Sequence, residues 1–491
     1  MYFHSSGAII LAHPQQNRSV PHSRLIPLIV ACALFMESLD STVLATALPA
    51  VAHSMHEDPL HLSLAISSYL VSIAVFIPLS GWLAERFGAR LIFRSAIVVF
   101  TFGSALCGLS ESILQLVGAR VLQGLGGAMM VPVGRLVILR KIPKHELVAA
   151  MTWVTIPALV APIVGPVVGG FIATYSSWRW IFFINVPIGV FGYWLATRYI
   201  TETEKEAPPP LDFVGWIILG VGLASFVFGL ENLGKGLLPT STVLTWIAFG
   251  VLLSIAYAWR SRSSGAPIVD LSLLKIQTLG SSITGGALFR IGVGAYTIAM
   301  PLMLQEGFGL SPLQSGLLTF AGATGAIVMR TMATRFVRWF GFRRLLLANT
   351  VVSTLLILAC GLLTPMTPQL LIVGLVLVLG FSRSMQFTCI NTMGFADVTP
   401  EQMSQATTLS GTAQQLSLSV GVAVAVQVLN TSQWLRHGEH LAPIDFSVTF
   451  WVVGLIAATS GFIFARLAAD AGNSVSGHVT ASKNGAPQDP L

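Results

Sequence analysis

Apolar segments of about 20 residues recur along the chain from Leu25 to Arg466, and they constrain its fold more than any other feature. An α-helix of that length crosses the hydrocarbon core of a bilayer and satisfies its own backbone hydrogen bonds there. The strands of an outer-membrane barrel are about 10 residues long and alternate in polarity, which these segments do not. The sequence therefore predicts an all-α polytopic membrane protein.

The composition agrees with this prediction. Only 10% of the 491 residues are charged, 54% are hydrophobic, and the mean hydropathy is +0.77. An average soluble domain contains about 25% charged residues. These values exclude an ordinary soluble protein.

Fourteen spans are predicted, near residues 25–51, 62–84, 91–110, 113–138, 148–173, 179–199, 212–231, 241–259, 278–304, 312–334, 344–363, 369–393, 406–430 and 447–467. An even number of spans places both termini on the same side of the membrane. If that side is the cytoplasm, the basic clusters that begin at Arg86, Arg140, Arg260 and Arg335 are all inside, as the positive-inside rule requires. Only Arg179, Lys235 and Arg436 are placed on the outer side.

The net charge of +7 follows from this topology and suits an anionic inner leaflet. It does not indicate nucleic-acid binding.

The spans fall into groups of six, two and six, and the polar segment "TETEKEAPPPLDF" follows the first group. This grouping is typical of transporters that are built from repeated halves. The predicted units are a cytoplasmic leader (1–24), a six-helix half (25–200), a cytoplasmic linker (201–211), an inserted two-helix hairpin (212–260), a second six-helix half (261–470) and a disordered cytoplasmic tail (471–491).

Two acids, Glu37 and Asp40, interrupt the first apolar segment in "FMESLDSTVLATALPA". A charged side chain at the centre of a bilayer costs roughly 3 kcal/mol even on insertion scales. The two acids are three positions apart and therefore share one face of a helix. They could load and release a proton during transport. The structural alternative is that Asp40 caps a kink or binds a neighbouring helix, and for Glu37 both interpretations stay open.

Arg120 lies inside the fourth predicted span, in "RVLQGLGGAMMVP". A buried arginine stays protonated and needs a carboxylate or a water-filled cavity, so Asp40 is a plausible partner. Gly124, Gly126 and Gly127 follow in the same stretch. Because no strand precedes these glycines, they predict close helix packing and not a nucleotide site.

Two further stretches carry unusual residues. "GWLAERFGARLIFR" places a glycine, an acid and three arginines between spans two and three, which could lock helix ends together in one conformation. The alternative is that these charges only set the topology. "PALVAPIVGPVVGGFI" contains Pro157, Pro162 and Pro166 among glycines, so the fifth span should be bent and closely packed as a hinge or seal.

The second half carries one intramembrane charge of particular interest, Arg290, and a set of polar residues. Such residues either line a cavity or hold helices together. The candidates for the cavity lining are Arg290, Gln386, Asn391, Ser410, Gln414 and Ser417.

The fourteen spans, "LDSTVLATALP", "GWLAERFGAR", "RVLQGLGGA", "GPVVGG" and "WRWIFFINVPIG" together resemble the major facilitator superfamily. More narrowly, they resemble its fourteen-span drug:proton antiporters of the EmrB/QacA type, from about Leu25 to Leu467. The resemblance implies a major facilitator fold with two six-helix halves plus two inserted helices. It also implies a location in the bacterial cytoplasmic (inner) membrane.

The resemblance assigns roles to individual residues. Asp40 falls in the acidic motif of the first span and Arg120 in the proton-relay motif. The gating loop contains Gly81, Glu85, Arg86, Gly88 and Arg90, and the antiporter motif contains Gly165, Pro166, Gly169 and Gly170. Glu85 stands where the loop normally has aspartate, and its side chain is one methylene longer. Glu37 stands where relatives often carry a neutral residue, so it could be a second proton site or favour cationic substrates.

The expected function is proton-coupled export of amphipathic compounds, cationic drugs among them, by alternating access. Export or symport of a specific metabolite or siderophore is the alternative. A membrane sensor or a lipid-acting enzyme is a remote one, because the sequence offers no nucleophile–base pair and no sizeable soluble domain.

We expect no enzymatic activity, no cofactor and no metal site, since the proton gradient would drive transport. The four cysteines lie within apolar segments without paired spacing and are interpreted as packing residues. The expected partners are small-molecule substrates, protons and membrane lipid, with no nucleic acid. The chain is expected to be a monomer, and the need for a periplasmic adaptor stays open.

Overall fold

A computed structural model describes residues 22–141, 160–161, 164–201, 210–233, 238–399, 402–468 and 470–472. Its α-helices are α1 His22–Met55, α2 Pro59–Phe87, α3 Ala89–Leu109, α4 Ile113–Lys141, α5 Val164–Tyr175, α6 Trp180–Phe183, α7 Asn185–Tyr199, α8 Phe213–Asn232, α9 Thr240–Ser263, α10 Gln277–Leu302, α11 Pro312–Cys360, α12 Gln369–Gly394, α13 Met403–Leu435 and α14 Pro443–Ala465. A 3₁₀ helix, Leu271–Lys275, precedes α10, and a π-helical turn, Met303–Gly307, follows it. No strand occurs among these residues.

Thirteen helical stretches in the described ranges are long and apolar enough to cross a membrane. They correspond to thirteen of the fourteen predicted spans, so the prediction of an all-α membrane bundle is confirmed. The predicted fifth span begins outside the described residues, and its visible remainder is the shorter helix α5. Most of the predicted leader, linker and tail, together with Pro157, Pro162 and Lys235, also lies outside them.

Polar residues at the ends of apolar runs set several helix boundaries. The Asp58 carboxylate accepts a hydrogen bond from the Leu60 backbone N–H at 2.7 Å, and Pro59 occupies the first helical position of α2. Ser311 and Gln314 form a reciprocal capping box that starts α11. Such caps satisfy backbone donors that no helical carbonyl reaches.

The predicted spans 312–334 and 344–363 are joined in the single helix α11. A loop of several residues was predicted between them, and the structure has one non-helical residue instead. The helix is continuous except at Gly341, whose φ of 71° is not helical. Gly88, with φ of 97°, is the single residue between α2 and α3. Glycine adopts positive φ without steric cost, so a one-residue turn suffices at both places.

The two predicted halves meet along a few helix pairs. α2 packs against α13, and α1 packs against α10 and α11. The predicted hairpin is formed by α8 and α9, which pack on each other, while α8 also contacts α2 and α13. Large apolar side chains of α9, such as Leu252 and Trp259, are exposed on the outside of the bundle.

The predicted close packing of α4 at its glycines is confirmed. A Cβ atom added to Gly126 would lie 2.5 Å from the Phe100 backbone nitrogen of α3, and one added to Gly124 would lie 2.6 Å from Ser72 Cβ of α2. Small residues let helix backbones approach this closely inside a membrane. α4 is therefore held tightly by both of its neighbours.

We predict that Gly126→Ala lowers the melting temperature of the purified protein by several degrees, because α3 and α4 must separate, with overpacking typically costing about 1–3 kcal/mol. Gly118→Ala on the same helix is the matched control, since a Cβ atom there meets nothing within 4 Å. Thermal unfolding in detergent measures both variants. Equal melting temperatures for the two variants would contradict the packing described here.

Candidate functional site

A buried ion pair links α1 to α4. Arg120 is 1% exposed and Asp40 is 2% exposed, and the Arg120 Nη1 atom donates to Asp40 Oδ2. Arg120 Nε also donates to the Ala65 carbonyl of α2 at 3.0 Å. The structure thus brings the two predicted residues together. Their role in proton coupling stays a prediction.

Two amide side chains complete the surroundings of Asp40. Gln123 Nε2 and Asn185 Nδ2 both donate to Asp40 Oδ1, at 2.8 and 3.1 Å. Gln123 Oε1 accepts a hydrogen bond from Arg120 Nη1 at 2.8 Å. Asp40, Arg120 and Gln123 are therefore each hydrogen-bonded to the other two. A buried charge pair needs its remaining hydrogen-bonding capacity satisfied in this way.

Sequence reasoning missed Gln123 and Asn185 as members of the site. Gln123 lies one helical turn after Arg120, and Asn185 is a lone amide in the apolar stretch "WRWIFFINVPIG". Asn185 begins α7 and also donates to Ser104 Oγ of α3 at 3.0 Å. A polar amide within an apolar span was the available signal.

Aromatic rings cover the Arg120 guanidinium. Its Cζ atom lies 4.0 Å from the centroid of the Tyr69 ring and 5.9 Å from that of Phe182. The faces of aromatic rings attract cations, most strongly where water is excluded. Tyr69 also places its hydroxyl in the buried interior without a hydrogen-bond partner among the described residues.

Glu37 differs from Asp40 although the two lie one helical turn apart. Its side chain is half-buried, and it forms no hydrogen bond or ion pair with a described residue. Arg135 on α4, an exposed side chain, lies within electrostatic reach of it. The acidic pair therefore consists of one carboxylate inside a hydrogen-bonded network and one half-buried carboxylate outside it.

The predicted gating loop is tied to α7. Arg90 Nη2 donates to the Thr197 carbonyl at 2.8 Å, and Arg94 Nη2 donates to the Tyr193 hydroxyl at 2.7 Å. Gly88 makes the turn, while Gly81 and Arg86 are exposed and Glu85 is half-buried. The loop residues thus fasten the α2–α3 turn to the end of another helix. A gating role for them stays a prediction.

The glycines of the predicted antiporter motif lie where α5 meets both halves. Cβ atoms added to Gly165 and Gly169 would collide with Thr42 and Val43 of α1. A Cβ atom on Gly170 would collide with the Pro312 carbonyl of α11. Pro166 belongs to the same contact, because its carbonyl oxygen faces Gly316 of α11. This close approach fits the predicted seal.

The polar residues of the second half are distributed over separate contacts. Arg290 of α10 is fully buried, and its Nη2 atom donates to Asn391 Oδ1 at 2.9 Å. Its Nε and Nη1 atoms have no hydrogen-bond partner in the described part of the chain. Gln386 instead bonds Asn349 and Thr350 of α11, which favours helix association over cavity lining.

The α13 residues Ser410, Gln414 and Ser417 form a third polar group. Ser410 and Ser417 are buried, and the Ser417 hydroxyl donates to the Ala413 carbonyl of its own helix. Gln414 is half-buried. The structure therefore joins only Arg290 and Asn391 among the six candidates, and a cavity-lining role for the set stays a prediction.

The model of the Major Facilitator Superfamily matches residues 30–422. A protein of Escherichia coli strain K12 named "Putative multidrug resistance protein MdtD" is 37% identical over 451 residues, which cover 91% of this chain and 95% of that protein. The chain belongs to the Major Facilitator Superfamily. Its members are transporters, so this is a multi-pass membrane protein of a transporter family.

Solved structures show the same major facilitator fold. A D-xylose–proton symporter aligns with a TM-score of 0.65 at 14% identity, covering 91% of this chain and 98% of its own. An auto-inhibited peptide transporter of the POT family aligns with a TM-score of 0.68 at 13% identity, covering 90% of this chain and 96% of its own. The predicted superfamily and fold are confirmed, and at these identities the likeness concerns the fold alone.

We predict that Asp40→Asn and Arg120→Gln each destabilise the protein strongly, because removing one partner of a buried pair typically costs about 3–5 kcal/mol. The double variant should lose less than the sum of the single losses, since neither charge is then left unpaired. Unfolding of the wild type, the two single variants and the double variant at increasing concentrations of a denaturing detergent measures this coupling free energy. Additive losses would show that the two side chains do not interact.

Proposed function

We propose that the protein is a proton-coupled antiporter that exports amphipathic compounds, cationic drugs among them, from the cytoplasm by alternating access. The observation that carries the proposal is the buried Asp40–Arg120 pair with its two amide donors. The name of the E. coli relative supports the multidrug part. The proposed setting is the bacterial cytoplasmic membrane, with both termini inside.

The ion pair suggests how a proton could be coupled to movement. Arg120 and an incoming proton compete for the same oxygen, Asp40 Oδ2. When the proton binds, Arg120 keeps its charge and loses its counter-ion inside the membrane, so the helices around it favour a rearrangement that re-solvates it. Gln123 and Asn185 hold the other oxygen and keep the carboxyl in place.

The energy available is sufficient for export. One elementary charge that moves through 100 mV releases about 2.3 kcal/mol. At about 1.4 kcal/mol per factor of ten, this supports a concentration ratio of roughly 50-fold for each charge under full coupling. Rocking of the two halves would alternate access to the site. The tight α1–α5–α11 contact at Gly165, Gly169 and Gly170 would close one side.

Glu37 is the proposed contact for a cationic substrate. It is half-buried, faces the same side of α1 as Asp40, and lies outside the hydrogen-bonded network. A cation at Glu37 would lie one helical turn from the proton site, so the two positive charges would repel each other. That repulsion favours alternate occupation, which antiport requires.

The test is proton release from liposomes that contain the purified protein, followed with a pH-sensitive dye on addition of substrates. Lipophilic cations should release protons from the wild type, Asp40→Asn should abolish the signal, and Glu37→Gln should reduce it for cations more than for neutral drugs. Glu111→Gln, which changes an exposed acid, is the matched control and should behave as wild type.

Other outcomes overturn parts of the proposal. Full proton release in Asp40→Asn would remove this residue from coupling. A response only to a defined metabolite would refute multidrug export and favour the specific-metabolite alternative. Proton-driven accumulation in the opposite direction would refute export.

A further inference from the structure

A cavity outside the central site lies between α2, α4 and the inserted hairpin. We call it the lateral groove; it encloses about 670 Å³. Its rim is formed by apolar side chains on the outer surface of the bundle, among them Leu114, Val121, Ile217 and Val221, which are 80%, 42%, 43% and 43% exposed. The groove therefore opens toward the lipid that would surround the protein.

Four aromatic rings contribute to the lining of the groove. They are Phe76 of α2, Trp216 and Phe228 of α8 and Trp246 of α9. The four rings form two contacts. The centroids of the Phe76 and Trp216 rings are 5.6 Å apart, and those of the Phe228 and Trp246 rings are also 5.6 Å apart. The Trp216 indole N–H donates to the Val75 carbonyl at 2.9 Å, which fixes the orientation of that ring.

One acid belongs to the wall of this groove, whose other lining residues are apolar or serine. Glu231 is 1% exposed and lines the groove. Its Oε2 atom accepts a hydrogen bond from the Ser63 hydroxyl at 2.9 Å, and its Oε1 atom accepts one from the Ser67 hydroxyl. The two serines are one helical turn apart on α2, so they present both hydroxyls to the same carboxylate.

The position of Glu231 is unusual for an acid. It is the penultimate residue of α8, where the negative end of the helix dipole disfavours a carboxylate. A side chain so near a helix end could reach toward water, yet it is directed into the bundle against α2. Acids within membrane spans are rare and usually serve function.

We propose that the lateral groove is a binding site for amphipathic cations that enter from the lipid, with the cationic group at Glu231 and the apolar body along the aromatic rings. The volume lies within the usual range for small-molecule pockets, about 300–1,000 Å³. Aromatic faces and a carboxylate are the two groups that recognise organic cations in a low-dielectric site. The proposal rests on the proposed function, because it names an entry site for the same substrate class.

The groove and the central network share α2 as a common wall. The Ala65 carbonyl of α2 accepts from Arg120, while Ser67, two residues on, donates to Glu231 from the other side. The Ser67 carbonyl also accepts a hydrogen bond from Ser419 of α13 at 3.4 Å, which is a contact between the predicted halves. A ligand at Glu231 therefore lies against a helix that takes part in both the charge network and the interface between the halves.

The first experiment measures binding of radiolabelled tetraphenylphosphonium to the protein in lipid nanodiscs. Glu231→Gln keeps the size of the side chain and one acceptor for the serines but removes the charge. We expect its affinity for this cation to fall at least about tenfold, while the affinity for a neutral amphipathic drug stays unchanged. Glu111→Gln is the matched acid control and should bind as wild type.

A second variant keeps Glu231 and fills the groove. Ala224→Phe adds a ring on the groove wall and should weaken binding of the cation and of bulky neutral drugs alike. Melting temperatures within a few degrees of wild type show that both variants fold. If Glu231→Gln fails to fold, Ala224→Phe alone decides whether the cation occupies the groove.

Wild-type affinity in both Glu231→Gln and Ala224→Phe would overturn the proposal. So would co-purified phospholipid that is retained through Trp216 and Glu231 and is not displaced by the cation, because the groove would then be a lipid site. Binding is measured without a proton gradient, so failure here is distinguishable from failure of proton-coupled export. Loss of proton release with intact cation binding would refute only proton-coupled export.

Discussion

The bond between Asp40 and Arg120 organises the first half of the molecule. Its donors and acceptors come from α1, α2, α4 and α7, and Asn185 extends the network to Ser104 of α3. A buried ion pair is stable only when the groups around it complete its hydrogen bonds. Because all of these helices contribute to the network, a change in the charge of Asp40 affects the hydrogen bonds of several helices at once.

The second half does not repeat this arrangement. Arg290 is as deeply buried as Arg120, but its single polar contact among the described residues is the neutral side chain of Asn391. Among the described residues, Arg120 thus has a carboxylate as its counter-ion and Arg290 has none. The proton coupling proposed above would therefore rest on the first half, where the buried arginine has a carboxylate within hydrogen-bonding distance.

Much of the fold could be predicted from the sequence, because apolar length and the placement of basic residues report membrane spans directly. Asp40 and Arg120 stood out for the same reason, as charges inside those spans. Gln123 and Asn185 did not, since a single sequence shows how deep a residue lies in a span but not which neighbour it meets. Glu231 was overlooked because it lies at the end of its span, where an acid normally reaches water, and only the packing of α8 on α2 reveals its burial.

The one-residue turn at Gly88 has a mechanical consequence. A connection without slack cannot let α2 slide lengthwise past α3, and Arg90 anchors the start of α3 to the Thr197 carbonyl of α7. Helices joined in this way tilt together as one rigid body. A displacement of α2 would therefore move α3 and α7 with it. The hydrogen bond between Arg90 and the Thr197 carbonyl would stay intact during that movement.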